Sequence, residues 1–436
     1  MDRAAAKYIR KHTANILFFA AISAVFALVM VLAAFNASTP EVKAMETGRD
    51  SGIKIELYFE KQKFIYTDKY ISAGTHIIAE ELFMRKINVP YTQKREIMDK
   101  SLANGGTYKT AVLFTMPLLE NTVDGAIKSI NCVPIDSTMS FDPDQKPMFR
   151  IVREKAGRRV DEQRLYRDIY SALCNSPQVK IWITPDTLSP QVTTYDNIGL
   201  TNLRARYSTG YAYSNENRKH NIRLALQKVN GTVLEAGEEF SFNKTVGKRS
   251  ETNGFREAKI IVAGKYENGV GGGVCQVSTT VYNAVLLAGL KITDVQNHSL
   301  ECSYELPSFD AMVNAYSSDL KFKNIQKTPV FIRAYGTDTN AVVEVYGEAM
   351  EYVIKRHSDV VYRKETPGSQ TVVDTNYKYH SPGATSGETK IVAYPHGEMK
   401  SVGYLLYYDQ KGFLVKKEKI RENVYCASEG LIAVAP

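Results

Sequence analysis

One cysteine lies where a thiol could act as a nucleophile. Cys275 follows the glycine-rich run 269–273 and precedes apolar residues that recur at three- and four-residue steps from Val277 to Ala288. This periodicity predicts a helix that begins near Cys275 and stops at Gly289. The positive end of a helix dipole favours the thiolate, which is the reactive form of cysteine. The sequence therefore predicts a reactive thiol at a helix N-terminus.

Two further residues complete a candidate catalytic set. Period-two alternation over residues 294–306 predicts a strand that carries His298 and Cys302 on one face, and Asp310 follows. Thiol-dependent acyl transfer needs a cysteine, an imidazole to hold the proton and a third group to orient that imidazole. Cys275, His298 and Asp310 are the predicted nucleophile, base and orienting group.

The first turn of the predicted helix supplies the groups around the thiol. The N–H groups of Cys275 and Gln276 are the predicted oxyanion donors. Ser278 and Thr279 have hydroxyls that can cap free N–H groups or contact substrate.

The same residues allow other interpretations. Cys275 can be a buried structural thiol or form a disulfide with Cys302. Cys275, His298 and Cys302 can also ligate a metal, although a fourth ligand is lacking and the spacing differs from that of a zinc finger. Five cysteines are an odd count, so at least one is unpaired or pairs between chains. Cys132 and Cys174 are predicted as core thiols, with a disulfide between them as the alternative.

The N-terminus predicts a membrane anchor. Residues 14–37 are almost wholly apolar and long enough to cross a bilayer, and four basic residues lie in the preceding segment 1–13. The positive-inside rule places segment 1–13 in the cytoplasm and the rest of the chain outside, at the cell membrane. A cleaved signal peptide is the alternative.

Composition and patterning indicate a multidomain α+β protein. The chain has 436 residues, of which 44% are hydrophobic and 23% charged, with a net charge of +8. No nucleic-acid motif accompanies this charge, so no nucleic-acid partner is predicted. Residues 50–195 and 196–347 are predicted as α+β domains, and residues 348–436 as a linker with a small all-β module. Asp161 is a predicted helix N-cap, and the polar stretch 193–221 is predicted to be a loop.

Several motifs in order resemble the VanW family. They are FSFNKTVGKRSETNGFREAKIIVAG, GGGVCQVSTTVYNAVLLAGL, NHS, DAMV and SSDLKFKN, within residues 201 to 347. The family is named after an accessory protein of glycopeptide-resistance clusters. The positions that the resemblance implies are functional are Gly271, Gly272, Gly273, Cys275, Gln276, Ser278, Thr279, Tyr282, Asn283, His298, Ser299, Asp310, Asp319 and Asn324. The chain departs from the family pattern at Ser308-Phe309, where a glycine is usual, and it lacks the arginine usual shortly before the histidine.

Two looser resemblances flank this region. Residues 123–173 resemble a YoaR-like domain, which implies peptidoglycan binding, and residues 390–430 resemble the G-five module, which implies binding of cell-wall sugars. With the predicted anchor, they predict a membrane-anchored envelope protein, outside the cytoplasm, that binds peptidoglycan or its stem peptides. No cofactor or metal is predicted. The family does not decide whether a reaction takes place. A cysteine-dependent acyl transferase, amidase or peptidase and a purely structural envelope module are the alternatives.

Overall fold

The computed structural model describes residues 52–68, 91–262, 265–314 and 317–436. The predicted cytoplasmic segment 1–13 and anchor 14–37 lie outside the described residues. Within the described ranges, no helix combines the length and apolar character needed to cross a bilayer. The described residues divide into two compact units. The first comprises those up to 128 together with 161–184, and the second comprises 129–160 together with 185–436.

Helices and small sheets alternate along the chain, so the predicted α+β class is confirmed. The helices are α1 (Tyr91–Ala103), α2 (Tyr108–Thr115), α3 (Leu119–Ile130), α4 (Glu162–Leu173), α5 (Thr194–Gly199), α6 (Glu216–Val229), α7 (Phe242–Val246) and α8 (Val274–Leu287), with a 3₁₀ turn at Glu251–Asn253.

The strands are short except near the C-terminus. They are β1 (Lys54–Phe59), β2 (Gln62–Thr67), β3 (Thr138–Phe141), β4 (Phe149–Val152), β5 (Gly157–Arg159), β6 (Gln178–Trp182), β7 (Asp186–Leu188), β8 (Asn202–Gly210), β9 (Thr232–Leu234), β10 (Glu239–Ser241), β11 (Glu257–Val262), β12 (Lys265–Val270), β13 (Lys291–Asp294), β14 (Lys321–Lys323), β15 (Val330–Gly336), β16 (Asn340–Gly347), β17 (Val353–Arg363), β18 (Ser369–Val373), β19 (Thr389–Ala393), β20 (Met399–Tyr408), β21 (Leu414–Tyr425) and β22 (Gly430–Val434).

The first unit is built on the sheet β2-β1-β6, in which β1 pairs antiparallel with β2 and parallel with β6. Alternate residues of β1 and β6, including Ile55, Leu57 and Val179, are buried and form part of the core. Asp161 caps α4, since its carboxylate accepts a hydrogen bond from the Arg164 N–H at 3.0 Å. The predicted cap is confirmed.

The second unit is centred on the antiparallel sheet β8-β16-β15-β9. Helix α8 packs on β8 and β16, and α6 packs on β15. The prediction that 193–221 is a loop was wrong, because this stretch contains α5, β8 and the start of α6. The buried residues of β8 are Ala205 and Thr209. Such small or polar inward residues give little apolar alternation, so the strand left a weak signal in the sequence.

Residues 348–436 contain only strands and connecting segments, as predicted, and form the sheets β17-β20-β21 and β18-β22-β19. We call these residues the C-terminal module. Ile354 of β17 and Leu405 of β20 belong to the same apolar cluster as Val281 and Val285 of α8. The module therefore shares a core with the preceding domain. The predicted domain boundaries, including those at 195 and 347, stay predictions.

The glycine run makes the tight turn that leads into α8. Gly273 is the N-cap of α8 and has φ +103°, in the left-handed region that favours glycine. A Cβ atom on Gly272 would lie 2.6 Å from the Lys259 carbonyl oxygen and 2.9 Å from backbone and side-chain atoms of Ala258. The hairpin β11–β12 thus presses on this turn, and glycine is required there.

We expect Gly272→Ala to destabilise the second unit by about 1–3 kcal/mol, because the added methyl group meets backbone that cannot move freely. Gly368→Ala is the control, since a Cβ there would meet nothing within 4 Å. Chemical denaturation of both variants checks this. Equal stabilities would contradict the close approach at Gly272.

Candidate active site

Helix α8 positions the thiol. Cys275 is the second residue of the helix and is partly exposed. Its Sγ lies 3.3 Å from the carbonyl oxygen of Val313, to which the thiol donates when it is protonated. The thiol therefore lies within the first helical turn, where the helix dipole stabilises negative charge. The predicted helix is confirmed, and it begins at Val274, one residue before the thiol.

His298 and Asp310 form a buried pair. The Nδ1–H of His298 donates to Oδ2 of Asp310 at 2.7 Å, and the His298 backbone N–H donates to the same oxygen at 2.6 Å. Exposure is 6% for His298 and 1% for Asp310. The prediction of a strand over 294–306 was wrong, because regular pairing stops at Asp294 and only an isolated bridge, Gln296 with Met312, follows. His298 lies in a loop, where its two hydrogen bonds to Asp310 hold it in place.

The imidazole also interacts with the thiol. Since Nδ1 is bonded to Asp310, Nε2 is the ring nitrogen left for the thiols of Cys275 and Cys302, both of which interact electrostatically with the ring. Burial opposes the thiolate, but the hydrogen bond and charge of His298 outweigh it, so the pKa of Cys275 is below its ordinary value. Burial likewise opposes the imidazolium, yet Asp310 and the two thiols hold the pKa of His298 well above its ordinary value. The arrangement therefore favours a thiolate–imidazolium pair.

Asp310 stays ionised although it is buried. Burial alone would raise its pKa, but His298 and the hydroxyl of Tyr425 hold the pKa below its ordinary value. The Tyr425 hydroxyl donates to Oδ1 at 2.7 Å, and the Arg421 guanidinium donates to the Asp310 carbonyl oxygen at 2.6 Å. Sequence reasoning missed both residues. They lie more than 110 residues along the chain from Asp310, and no local pattern links them to it.

Cys302 is a second, buried thiol beside the imidazole. Ligand atoms of His298, Cys302 and Asp310 all lie within 4.8 Å of one another, which is a spacing that could hold a metal ion. This set differs from the predicted metal alternative, since Asp310 replaces Cys275. Both carboxylate oxygens of Asp310 already accept hydrogen bonds from His298 and Tyr425, so the donor set is better satisfied as a hydrogen-bonded network than as a ligand set.

All five cysteines are free thiols in the structure, and the prediction of Cys132 as a core thiol was wrong, because it is exposed. Neither alternative disulfide, Cys275 with Cys302 or Cys132 with Cys174, is present in the structure.

The predicted oxyanion and substrate residues lie inside the domain. The Gln276 N–H donates to the Gly273 carbonyl oxygen at 3.1 Å, so only the Cys275 N–H remains as a candidate oxyanion donor. Ser278 donates to the Ala311 carbonyl oxygen at 2.6 Å, and Thr279 accepts from the Ala311 N–H at 3.0 Å. Both hydroxyls are fully buried. Both hydroxyls therefore hold the segment that contains Asp310 against α8, and their burial argues against contact with substrate.

Asn283 belongs to a buried polar network behind the thiol. It donates to the Phe309 carbonyl oxygen at 2.8 Å and to Glu305 at 3.0 Å, and it accepts from Arg356 of β17 at 2.5 Å. Arg356 also pairs with Glu305 at 2.7 Å. Tyr282 is buried under the guanidinium of Arg421, 5.6 Å from the ring centre. These contacts do not include the thiol, so the packing of both residues behind it stays a prediction.

The remaining predicted positions, Asp319, Asn324 and Ser299, form hydrogen bonds with neighbouring segments of the chain. Asp319 accepts hydrogen bonds from Ser241 at 2.6 Å and from the Asn243 N–H at 2.8 Å. Asn324 donates to three carbonyl oxygens, including that of Leu234 at 3.0 Å. The carbonyl oxygen of Ser299 accepts from the Cys426 N–H at 2.7 Å.

Ser308, where a glycine is usual in the family pattern, has a backbone conformation that favours glycine. Ser308 has φ +67°, in the left-handed region where glycine is favoured. Its N–H donates to the Tyr425 hydroxyl at 2.7 Å, and its hydroxyl lies 2.7 Å from that of Ser401. Two residues of the C-terminal module therefore hold a non-glycine residue in this conformation.

The segment that carries the thiol is similar to a known protein family. Residues 217–346 match the family of VanW-like proteins, and the resemblance predicted from the motifs is confirmed over this range. The chain is 33% identical to the uncharacterized protein YoaR of Bacillus subtilis (strain 168) over 198 residues, which are 45% of this chain and 65% of YoaR. It is 24% identical to the vancomycin B-type resistance protein VanW of Enterococcus faecalis (strain ATCC 700802 / V583) over 160 residues, which are 35% of this chain and 58% of that protein. The chain thus matches less than two thirds of the length of each relative.

Among solved structures, the G5 domain of an IgA1 protease matches 20% of this chain and 90% of its own length, at 10% identity and a TM-score of 0.11. A TM-score of this size does not show a shared fold, so the G-five-like interpretation of residues 390–430 stays a prediction.

The His298–Asp310 pair makes the stability of the fold depend on pH. Because the pKa of His298 is raised, its proton stabilises the fold below the ordinary pKa of about 6.5, and this is lost as the pH rises through the raised value. Because the pKa of Asp310 is lowered, its charge stabilises the fold above about 4, and this is lost as the pH falls through the lowered value. We expect the stability difference between wild type and Asp310→Asn to be largest between about pH 4 and 6.5.

Denaturation at several pH values measures this difference. Asp359→Asn is the control, because Asp359 pairs with His357 at the same distance, 2.7 Å, but both side chains are about half exposed. A difference for Asp310→Asn that does not vary with pH would contradict the ion pair.

Proposed function

We propose that this is a cell-envelope protein in which Cys275, His298 and Asp310 carry out thiol-dependent acyl transfer on peptides of the cell wall. The observation that carries the proposal is the buried His298–Asp310 pair, in which Nδ1 lies 2.7 Å from Oδ2 and whose imidazole outweighs burial and lowers the pKa of the Cys275 thiol. Nucleophile, proton carrier and orienting carboxylate thus follow one another, as acyl transfer requires.

The chemistry follows from the ion pair. The thiolate of Cys275 attacks the carbonyl carbon of an amide, with the Cys275 N–H as oxyanion donor. The C–N bond then breaks as the leaving amine takes the proton from Nε2 of His298, which leaves a thioester on the sulfur. Water or an acceptor amine attacks the thioester, gives its proton to Nε2 and regenerates the thiolate.

The relatives support the cell wall as the location of the substrate. One relative is by name a vancomycin resistance protein, and the family model covers the domain that holds the thiol. The peptide stems of the cell wall are rich in amide bonds, so they are the substrate class we propose. The predicted N-terminal anchor would place the site outside the cytoplasm, where those stems lie.

We expect a covalent adduct on Cys275 when the purified chain is incubated with muropeptides and then quenched in acid, because the thioester is the intermediate of the reaction. Intact-mass and peptide mass spectrometry detect it. Cys275→Ala is expected to abolish adduct and turnover. Cys132→Ala is the control, since Cys132 is an exposed free thiol. Turnover that survives in Cys275→Ala would exclude the thiol mechanism.

A surface of the first unit supports peptidoglycan binding as a second, non-catalytic activity. Trp182 stacks on Tyr58 with ring centres 4.9 Å apart and an interplanar angle of 16°, and Trp182 is 66% exposed. The ammonium of Lys63 lies 5.3 Å from the Tyr58 ring centre. An exposed aromatic face suits stacking against a sugar ring, and the neighbouring ammonium, although paired with Glu56 at 2.8 Å, lies where a carboxylate of an attached stem peptide could approach.

We expect Trp182→Ala to reduce retention of the chain on purified cell-wall sacculi several-fold. Tyr195→Ala, at an aromatic residue that is 84% exposed, is the control and should be retained like wild type. If both variants lose retention equally, or if neither loses it, Trp182 is not part of the binding surface.

A further inference from the structure

We infer that Tyr425 and Arg421 of strand β21 are positioning residues for the His298–Asp310 pair, so that the C-terminal module completes the thiol site. This inference rests on the proposed function and assigns part of the catalytic arrangement to residues outside the VanW-like range. Four groups of contacts support it.

Tyr425 bridges two parts of the Asp310 segment. Its hydroxyl donates to Oδ1 of Asp310 and accepts from the Ser308 N–H, both at 2.7 Å. Tyr425 is 2% exposed, so water does not compete for these bonds. With Oδ1 held by Tyr425, the carboxylate cannot rotate, and Oδ2 remains directed at Nδ1 of His298.

Arg421 fixes the backbone at the same residue. Its guanidinium donates to the Asp310 carbonyl oxygen at 2.6 Å and lies over the ring of Tyr282 on α8. Arg421 therefore connects the Asp310 backbone to the helix that carries the thiol.

The backbone of the same strand region holds the loop on either side of His298. The Asn297 side chain donates to the Val424 carbonyl oxygen at 3.2 Å, and the Cys426 N–H donates to the Ser299 carbonyl oxygen at 2.7 Å. The imidazole thus lies between two anchor points that both belong to the C-terminal module.

Ser308 shows that the module constrains this loop. Its left-handed conformation is unfavourable for a residue with a side chain, and Ser401 and Tyr425 bond to its hydroxyl and N–H. Gly403 of β20 faces it, where a Cβ atom would lie 3.0 Å from that of Ser308. The two segments fit closely only because position 403 is glycine.

Several charged and titratable groups around the site affect the protonation of Cys275 and His298. The thiol of Cys275 interacts with His298 and Arg249, and the imidazole with Asp310 and Cys302. The other groups that act on the cluster are Tyr304 beside the two thiols, and Tyr425, Arg421 and Tyr282 around Asp310.

The test measures the pH dependence of Cys275 alkylation by iodoacetamide in the full chain, read by peptide mass spectrometry so that each cysteine is followed separately. In wild type we expect a midpoint below that of free cysteine, about 8.5. In Tyr425→Phe the carboxylate loses its anchor, so we expect the midpoint to move up and the rate at pH 7 to fall several-fold. Tyr362→Phe is the matched control, because its hydroxyl also donates to a carboxylate, Glu398, at 2.7 Å within the same module.

Arg421→Gln is the second variant and should move the midpoint in the same direction. Thermal denaturation of each variant reports folding. If Tyr425→Phe and Arg421→Gln unfold cooperatively and keep the wild-type midpoint, the positioning role is overturned while the thiol site remains. If wild-type Cys275 already has the midpoint of free cysteine, the proposed function fails and the inference fails with it.

Discussion

A single buried carboxylate organises the candidate site. Asp310 is 1% exposed, and an ionised group in such a place is stable only when hydrogen bonds and an opposite charge replace water. Those partners are the backbone and imidazole of His298 on one oxygen and the hydroxyl of Tyr425 on the other. Ala311, the next residue, is bonded to α8 through Ser278 and Thr279. Loop, helix and C-terminal strand therefore meet because one charge has to be satisfied.

A second polar network ties the C-terminal module to the same helix. The guanidinium of Arg356 lies 4.3 Å from the ring centre of Tyr207 and 4.8 Å from that of Phe309, and it pairs with Glu305. Breaking a fully buried ion pair costs about 3–5 kcal/mol, and the Arg356 side chain is 12% exposed, so loss of Glu305 would cost at most that much. The module is thus joined to the helix that holds the thiol both by apolar packing and by a charged network.

The sequence predicted the local part of this arrangement and missed the non-local part. The glycine run and the apolar periodicity located α8 and its thiol, because both signals lie within one short stretch. His298 and Asp310 were identified from residue type and motif, but the strand assigned to His298 was wrong. Alternation of apolar and polar residues does not provide a neighbouring strand to pair with. The loop that carries His298 is held by hydrogen bonds to Asp310 instead. The hydroxyl of Tyr425 reaches Asp310 across 115 positions, and no periodicity reports such a contact.

The separation along the chain also sets the order in which the site can form during synthesis. Cys275 and His298 are made more than a hundred residues before Tyr425, so a growing chain carries the thiol and the imidazole before the hydroxyl that anchors Asp310 exists. Contacts between distant residues form late in folding, after the local helices. The set of hydrogen bonds around Asp310 is therefore complete only after strand β21 has been made.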